Sequence, residues 1–279
     1  MEKENLTRLT VLGHEGRMGI FRLLMRRFPD AVPAGEISSA LGLKASTASV
    51  YLSALMGAGL IARERLGTQL NYRVNMNAAR ALSEFLFLDC CRGRPELCPP
   101  YLSSPLTKVR TMADDKYNVL FICTGNSARS IFAESILRNE AGDRFAAYSA
   151  GSKPFSELNP FAVEMLEQKG HDTAPLHSKN IREFQGAEAP EFDFVFTVCD
   201  LAANEECPAW SGQPITAHWG VKDPVKTEGT DAEKRLSFQH AYGALRNRIT
   251  AFSALPIDTL DRVSLQKAVD ELPNIEDAE

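Results

Sequence analysis

No apolar run in the 279-residue sequence approaches the roughly 20 residues a membrane-spanning helix requires, and the charged opening MEKENL lacks a signal-peptide pattern. A cytoplasmic protein with no membrane partner is the expectation. Cysteine is scarce, with six in all. In a reducing compartment that argues against a disulfide framework and for thiol chemistry or soft-metal binding. The five histidines are scattered and none has ligand spacing with another, which gives no basis for a histidine-built metal centre. His218, beside Trp219, reads as a packing or loop residue. Internal repeats and low-complexity tracts are absent, and so is the Gly-Lys-Ser/Thr of a nucleotide loop.

What is present is unevenly distributed. The length suffices for two cores. Up to Arg110 the chain carries 15 Lys/Arg against 9 Asp/Glu, whereas the remainder carries 16 against 27. The first part could approach a polyanion and the second could not. Pro99, Pro100 and Pro105, with Ser103 and Ser104 among them, mark a linker. The expected division is a DNA-binding domain over 1–100, a linker over 101–116 and a second domain over 117–279.

In the first part the spacing predicts helices over Leu9–Met25, Ala34–Leu41 and Ser46–Ala58, with Gly42 and Gly59 at helix ends. Two strands, Leu60–Arg65 and Asn71–Val74, flank a Gly67-Thr68 turn and precede an apolar helix, Ala78–Leu88. The fold expected is a mainly α winged helix-turn-helix. Ser46 reads as the N-cap of the groove-entering helix, and Ser46, Thr47, Ser49 and Tyr51 are its candidate DNA-contacting residues, with Arg63 and Arg65 of the wing on phosphates. Operator DNA is the implied partner, bound by a homodimer whose interface helix is Ala78–Leu88.

The segment ALGLKASTASVYLSALMGAGLIARERLGTQLNYRV resembles the ArsR/SmtB-type winged-helix repressors. Members of that family bind metalloids through cysteines, in many cases on the first helix of the helix-turn-helix, but the matching segment AGEISSALGL has none. DCCRGRPELC instead gathers Cys90, Cys91 and Cys98 after the dimer helix. Three thiolates suit As(III) or Sb(III), which bind trigonally with a free lone pair. Adjacent helical residues diverge by about 100°, so both first sulfurs converge only if the helix ends there, as Gly93 and Pro95 suggest. The pattern resembles a branch of arsenic repressors whose three-cysteine site lies at the carboxyl end of the domain, which implies arsenite as a regulatory ligand.

Beyond the linker, strands Val119–Ile122, Ala146–Ser149, Phe192–Val198 and Pro214–His218 alternate with helices Ser130–Glu140, Pro160–Lys169 and Leu236–Phe252. That order predicts an α/β fold with a small parallel sheet, helices on both faces, and a ligand site at the carboxyl ends of the strands. At one such end stands VLFICTGNSARS, with Cys123 and, six positions on, Arg129. Small turn residues can aim successive backbone amides at a tetrahedral oxyanion, the next helix adds its dipole, and the arginine fork closes the site. The oxyanion-binding set is Thr124, Gly125, Asn126, Ser127, Ala128, Arg129 and Ser130, with Asn126 bracing the loop and Ser130 donating to the sulfur. The same positive field is expected to lower the pKa of Cys123 and make it a thiolate nucleophile.

This motif resembles the low-molecular-weight tyrosine phosphatase fold. The resemblance implies a distal acid on an Asp-Pro loop, supplied by Asp223 of Lys222-Asp223-Pro224, although the paired tyrosines that tyrosine phosphatases carry after it are missing. VFTVCDLAANEECPAW and TAHWGVKDP resemble the arsenate reductases built on that fold. By that likeness Cys123 attacks arsenate, Cys199 resolves the adduct, and Cys207 takes over the disulfide for an external reductant, thioredoxin or glutathione with glutaredoxin. No tightly bound cofactor is implied. The reading is a fused arsenic-responsive repressor and arsenate reductase. A phosphatase with a regulatory DNA-binding domain and a non-catalytic oxyanion-sensing repressor are the alternatives.

Overall fold

The computed structural model describes residues 2–67, 69–92, 116–186, 188–205, 210 and 214–274. These fall into two compact units, 2–92 and 116–274. All of the expected linker except Lys116 lies outside the described residues, as do Cys98 and Cys207.

The first unit runs α1 (Glu2–Leu12), α2 (Glu15–Arg26), β1 (Val32–Pro33), α3 (Ala34–Ala40), α4 (Ala45–Gly57), β2 (Ile61–Leu66), β3 (Gln69–Val74) and α5 (Met76–Glu84). Its three-stranded antiparallel sheet has the order β1-β3-β2, with Arg63 opposite Tyr72 and Val32 on the other side of Tyr72. Ile20, Leu23 and Leu24 of α2, Ile37 of α3, and Leu52 and Leu55 of α4 close on Ile61, Tyr72 and Val74. This is a winged helix-turn-helix. Gly42, at φ +61°, and Gly59, at φ +70°, adopt the left-handed conformation that ends α3 and α4.

Three local expectations change here. The helix over Leu9–Met25 is two helices, broken at Gly13-His14, because the His14 ring accepts from the Gly16 amide at 3.1 Å and starts α2 afresh. Ser46 is not the N-cap of α4: Lys44 holds that place with no side-chain cap, and Ser46 lies inside the helix. The terminal helix does not stay α-helical to Leu88; α5 passes at Phe85 into a π-helix, Phe85–Cys90, and stops at Cys91.

The second unit contains β4 (Tyr117–Cys123), α6 (Arg129–Ala141), β5 (Phe145–Gly151), α7 (Pro160–Gln168), β6 (Phe194–Thr197), α8 (Asp200–Asn204), β7 (Ile215–His218), α9 (Asp231–Ser253) and α10 (Arg262–Glu271). Its four strands are all parallel in the order β5-β4-β6-β7. An unbroken buried run from Val119 to Cys123 is what a central parallel strand covered on both faces requires. The chain leaves β4 toward β5 and later returns to β6 on the opposite side. That reversal makes a crevice at the carboxyl ends of β4 and β6, where ligands bind in open α/β sheets. The short helix α8, which starts immediately after Cys199, has no counterpart in the sequence expectation.

Behind the crevice lies an aromatic core. Trp219 stacks on Phe196 at 4.0 Å between centroids, and Phe252 of α9 packs on the rings of Phe145, Phe194, Phe196 and Trp219. α10 covers the β7 edge, its Gln266 amide donating to the Thr216 carbonyl at 2.8 Å. Phe252→Ala is expected to cost about 3–5 kcal/mol, since it removes a fully buried ring packed on four others. Urea denaturation of the full chain measures this directly, and a loss under 1 kcal/mol would show that the cluster does not hold the second unit together.

Candidate functional site

The loop after β4 is shaped by where its carbonyls go. Those of Cys123, Thr124, Gly125 and Ser127 accept from the amides of Ser152, Lys153, Phe155 and Asn159, at 3.2, 2.9, 2.9 and 3.0 Å. A peptide plane whose C=O faces one way presents its N–H the other way. The loop amides therefore turn inward as an anion-binding nest, and that of Asn126 reaches the Cys123 sulfur at 3.0 Å. Gly151 permits this close approach, since a Cβ there would lie 2.7 Å from the Thr124 oxygen and 3.0 Å from the Asn126 Cβ.

Asn126 is the loop's internal brace. Its backbone is left-handed, at φ +43°, a conformation asparagine tolerates better than most residues. Its fully buried side chain donates to Ser130 Oγ at 2.8 Å and Ser149 Oγ at 2.9 Å, and accepts from the Lys179 amide at 2.7 Å. Ser130 lies 2.9 Å from the Cys123 sulfur. Behind Ser149 is a buried ion pair, Lys179 Nζ to Glu134 Oε2 at 3.0 Å, with Ser149 and Arg138 also bonded to the Glu134 carboxylate. The sequence reading missed Ser149, Lys179 and Glu134. Glu134 alone had a signal, as a charge inside the apolar run IFAESIL of α6.

Burial pushes the Cys123 thiol up and the neighbouring Cys199 adds to this, whereas the Ser130 hydrogen bonds and then Arg129 pull it down. The expected lowering is thus reversed. The physical reason is that the enclosed sulfur has lost its water while Arg129 has other partners. Its guanidinium pairs with Asp223 at 2.8 Å and donates to the Val221 carbonyl at 3.0 Å. The other Asp223 oxygen accepts from the Val225 amide at 3.2 Å, which fixes the acid at the start of its turn.

Cys199 comes from the adjacent strand end. It is 1% exposed, caps α8 by accepting from the Ala202 amide at 3.4 Å, and lies 3.5 Å from the Thr124 hydroxyl. Cys123, Arg129, Asp223 and Cys199 thus converge on one crevice; Cys207 lies outside the described residues. His218 is neither a loop residue nor simple packing, for both ring nitrogens are engaged.

In the first unit Ser46 and Ser49 are exposed, Thr47 is half-buried, and Arg63 and Arg65 are exposed on the wing. Tyr51 is drawn inward instead, its ring over Gly16 and its hydroxyl 3.5 Å from His14 Nε2. Cys90 is exposed and Cys91 half-buried at the end of the π-helix. Among the described residues no three His, Cys, Asp or Glu side chains gather as a metal site, and no helix is long and apolar enough to cross a membrane.

The balance of forces on Cys123 has a measurable consequence. In the anion-free chain its alkylation rate is expected to rise with pH through a midpoint above that of an unperturbed thiol, because the raised group becomes thiolate only at higher pH. Ser130→Ala should move the midpoint further up, since Ser130 is the foremost lowering influence. Iodoacetamide labelling followed by mass spectrometry reads it; a midpoint below the ordinary thiol range would contradict the dominance of burial.

Against known proteins, the family described as low molecular weight phosphotyrosine protein phosphatase matches residues 118–265. An arsenate reductase of Halalkalibacterium halodurans is 37% identical over 50% of this chain and 96% of its own length. Another from Bacillus licheniformis is 37% identical over 50% and 96%. For the first unit, a homodimeric winged helix-turn-helix DNA-binding domain from Mycobacterium bovis, a possible ArsR-family regulator, has 28% identity over 29% of this chain and 73% of that one, with a TM-score of 0.27. The match over 118–265 spans more than half of the 279 residues, and the chain belongs to the low molecular weight phosphotyrosine protein phosphatase family.

Proposed function

We propose that the second unit is an arsenate reductase and that the first is an arsenic-responsive, DNA-binding repressor domain. One observation carries the reductase reading: a second thiol, Cys199, stands one hydroxyl away from the oxyanion loop that holds Cys123. A phosphatase needs a single thiol, whereas reduction of arsenate requires two electrons and hence a second sulfur. The kinship to arsenate reductases over half the chain supports the same choice.

In this reaction the inward amides of residues 124–130 and the Arg129 fork hold arsenate. Binding frees Arg129 from Asp223, because the incoming oxygens offer the guanidinium a better-charged partner. The Cys123 thiolate attacks As(V), forming an S–As bond, while Asp223 gives a proton to the departing oxygen, which leaves as water. The Cys199 thiolate then attacks the Cys123 sulfur. An S–S bond forms, the S–As bond breaks, its electron pair stays on arsenic, and As(III) leaves as arsenite. Two thiols are oxidised as one arsenate is reduced. Cys207 attacks Cys199 and takes the disulfide from Cys123, which leaves as a thiolate, and an external reductant, thioredoxin or glutathione with glutaredoxin, then reduces the Cys199–Cys207 disulfide to two thiols.

In the amino-terminal domain Cys90, Cys91 and Cys98 supply three sulfurs to arsenite, the reductase's own product. The helix end at Cys91 favours this, since Arg92 takes the left-handed conformation and turns the chain out of the helical path. A homodimer formed through α5 and its π-helical extension presents α4 to the operator, with Ser46, Thr47 and Ser49 at the bases and Arg63 and Arg65 on phosphates. Tyr51 serves this surface by packing over Gly16.

The test is arsenite production by the purified chain with thioredoxin or glutaredoxin supplied separately. Cys123→Ser is expected to abolish it, while Cys199→Ser abolishes it and spares hydrolysis of an aryl phosphate. Fast ester hydrolysis without arsenate reduction in the parent chain would overturn the reading. For the regulatory half, arsenate plus reductant should release operator DNA from the parent chain but not from Cys123→Ser, whereas arsenite should release both. Equal release by arsenate in both proteins would disprove the coupling.

A further inference from the structure

The thiol relay leaves one buried imidazole beside it unused, that of His218 at the carboxyl end of β7. Its Nδ1 is 2.8 Å from the hydroxyl of Thr197, the last residue of β6, and its Nε2 is 3.1 Å from Oδ1 of Asp200, the first residue of α8. A carboxylate oxygen only accepts, so Nε2 carries the hydrogen, and in the neutral ring Nδ1 accepts from the Thr197 hydroxyl. The ring thereby grips the chain two residues before and one residue after Cys199. Strand pairing places Thr197 opposite His218, so the first of these contacts is set by the sheet itself. The second reaches out of the sheet to the helix that Cys199 caps.

The surroundings hold this grip closed. A Cβ at Gly220 would lie 2.7 Å from His218 Nε2 and 2.8 Å from Asp200 Oδ1, so a side chain at 220 would have to push one of the two aside. Arg248 of α9 donates to the carbonyls of Trp219 and Gly220, each at 3.0 Å, and keeps that segment against the ring. The same segment then reaches Val221 and Asp223, both bound to Arg129. One strand-end connection therefore steadies the thiol-bearing turn on one side and the oxyanion arginine on the other.

We infer that His218 is a positioning residue for the second thiol: by clamping Thr197 and Asp200 it fixes the turn that presents Cys199 to the loop of Cys123. This inference rests on the relay reading above. Its energetic basis is effective concentration: a thiol held at its target attacks far faster than one on a loose turn, and a misplacement of about 1 Å can cost on the order of 100-fold. A clamp that only packed the core would act on stability and on the whole site alike. Loss of a clamp on Cys199 acts in opposite senses, making the sulfur easier for an outside reagent to reach and slower toward its internal target.

The test uses the full chain and three variants. His218→Asn removes the ring, Asp200→Asn weakens the outer contact at a side chain that is 56% exposed, and Gly220→Ala forces the two partners apart while keeping both. Labelling with iodoacetamide, read residue by residue, is expected to be faster at Cys199 by roughly tenfold, while labelling of Cys123 and its protection by inorganic phosphate stay unchanged. In a single turnover with arsenate, adduct formation at Cys123 should keep its rate and arsenite release should slow by roughly tenfold or more, so that the Cys123 adduct accumulates and kcat falls. Parallel changes at Cys123 and Cys199, or an unaltered Cys199 in the variants that fold, would overturn the inference. Should the parent chain release no arsenite, the reductase reading fails on its own, and the labelling still decides whether His218 positions Cys199.

Discussion

The second unit depends on the capture of four loop carbonyls by the segment 152–159. Without those bonds the turn after β4 would have no reason to point its amides to one side. Backbone polarity, rather than any single charged group, is what suits this crevice to the tetrahedral anion proposed for it. Gly151 permits it by giving up a side chain where the Thr124 oxygen passes, and Asn126 holds it by accepting a left-handed backbone. A strained residue persists only when its surroundings over-determine it, and three hydrogen bonds from one buried amide side chain do so here.

The buried charges follow the same logic. Glu134 and Lys179 are costly to enclose singly and tolerable as a pair whose remaining valences are filled by Ser149, Arg138 and the His177 carbonyl. Their position behind Asn126 and Ser149 makes the wall of the nest stiff. Arg129 and Asp223 are a different kind of pair: less deeply enclosed, they are the partners that the proposed oxyanion would separate. The raised Cys123 thiol belongs to this resting state, in which Arg129 is engaged with Asp223 and the Val221 carbonyl.

Topology explains why the second thiol is available. In a sheet ordered β5-β4-β6-β7 the strands carrying Cys123 and Cys199 are neighbours at the point where the connections diverge, so both sulfurs emerge at the same edge. α8 begins there because Cys199 can accept from the Ala202 amide, and His218 ties its first residue back to the sheet. Strand ends thus bring the two sulfurs to one edge of the sheet.

Sequence periodicity by itself determined the two fold classes, the parallel strands and the winged helix-turn-helix, because apolar spacing and turn residues are local properties. The strand-loop-helix motif with Cys123 and Arg129 was legible for the same reason, and Asp223 and Cys199 through kinship. Apolar spacing misled at two helix boundaries: His14, by accepting from the Gly16 amide, broke the expected helix over Leu9–Met25, and the continuing helix beyond Phe85 widened to a π-helix. Only the tertiary structure decided that Ser149, Glu134 and Lys179 stand behind the loop, that Arg129 rests on Asp223, and that His218 bonds Thr197 and Asp200 on either side of Cys199. Each of these depends on a partner tens of residues away, brought close by strand pairing and burial, and no spacing along the chain encodes such a distance.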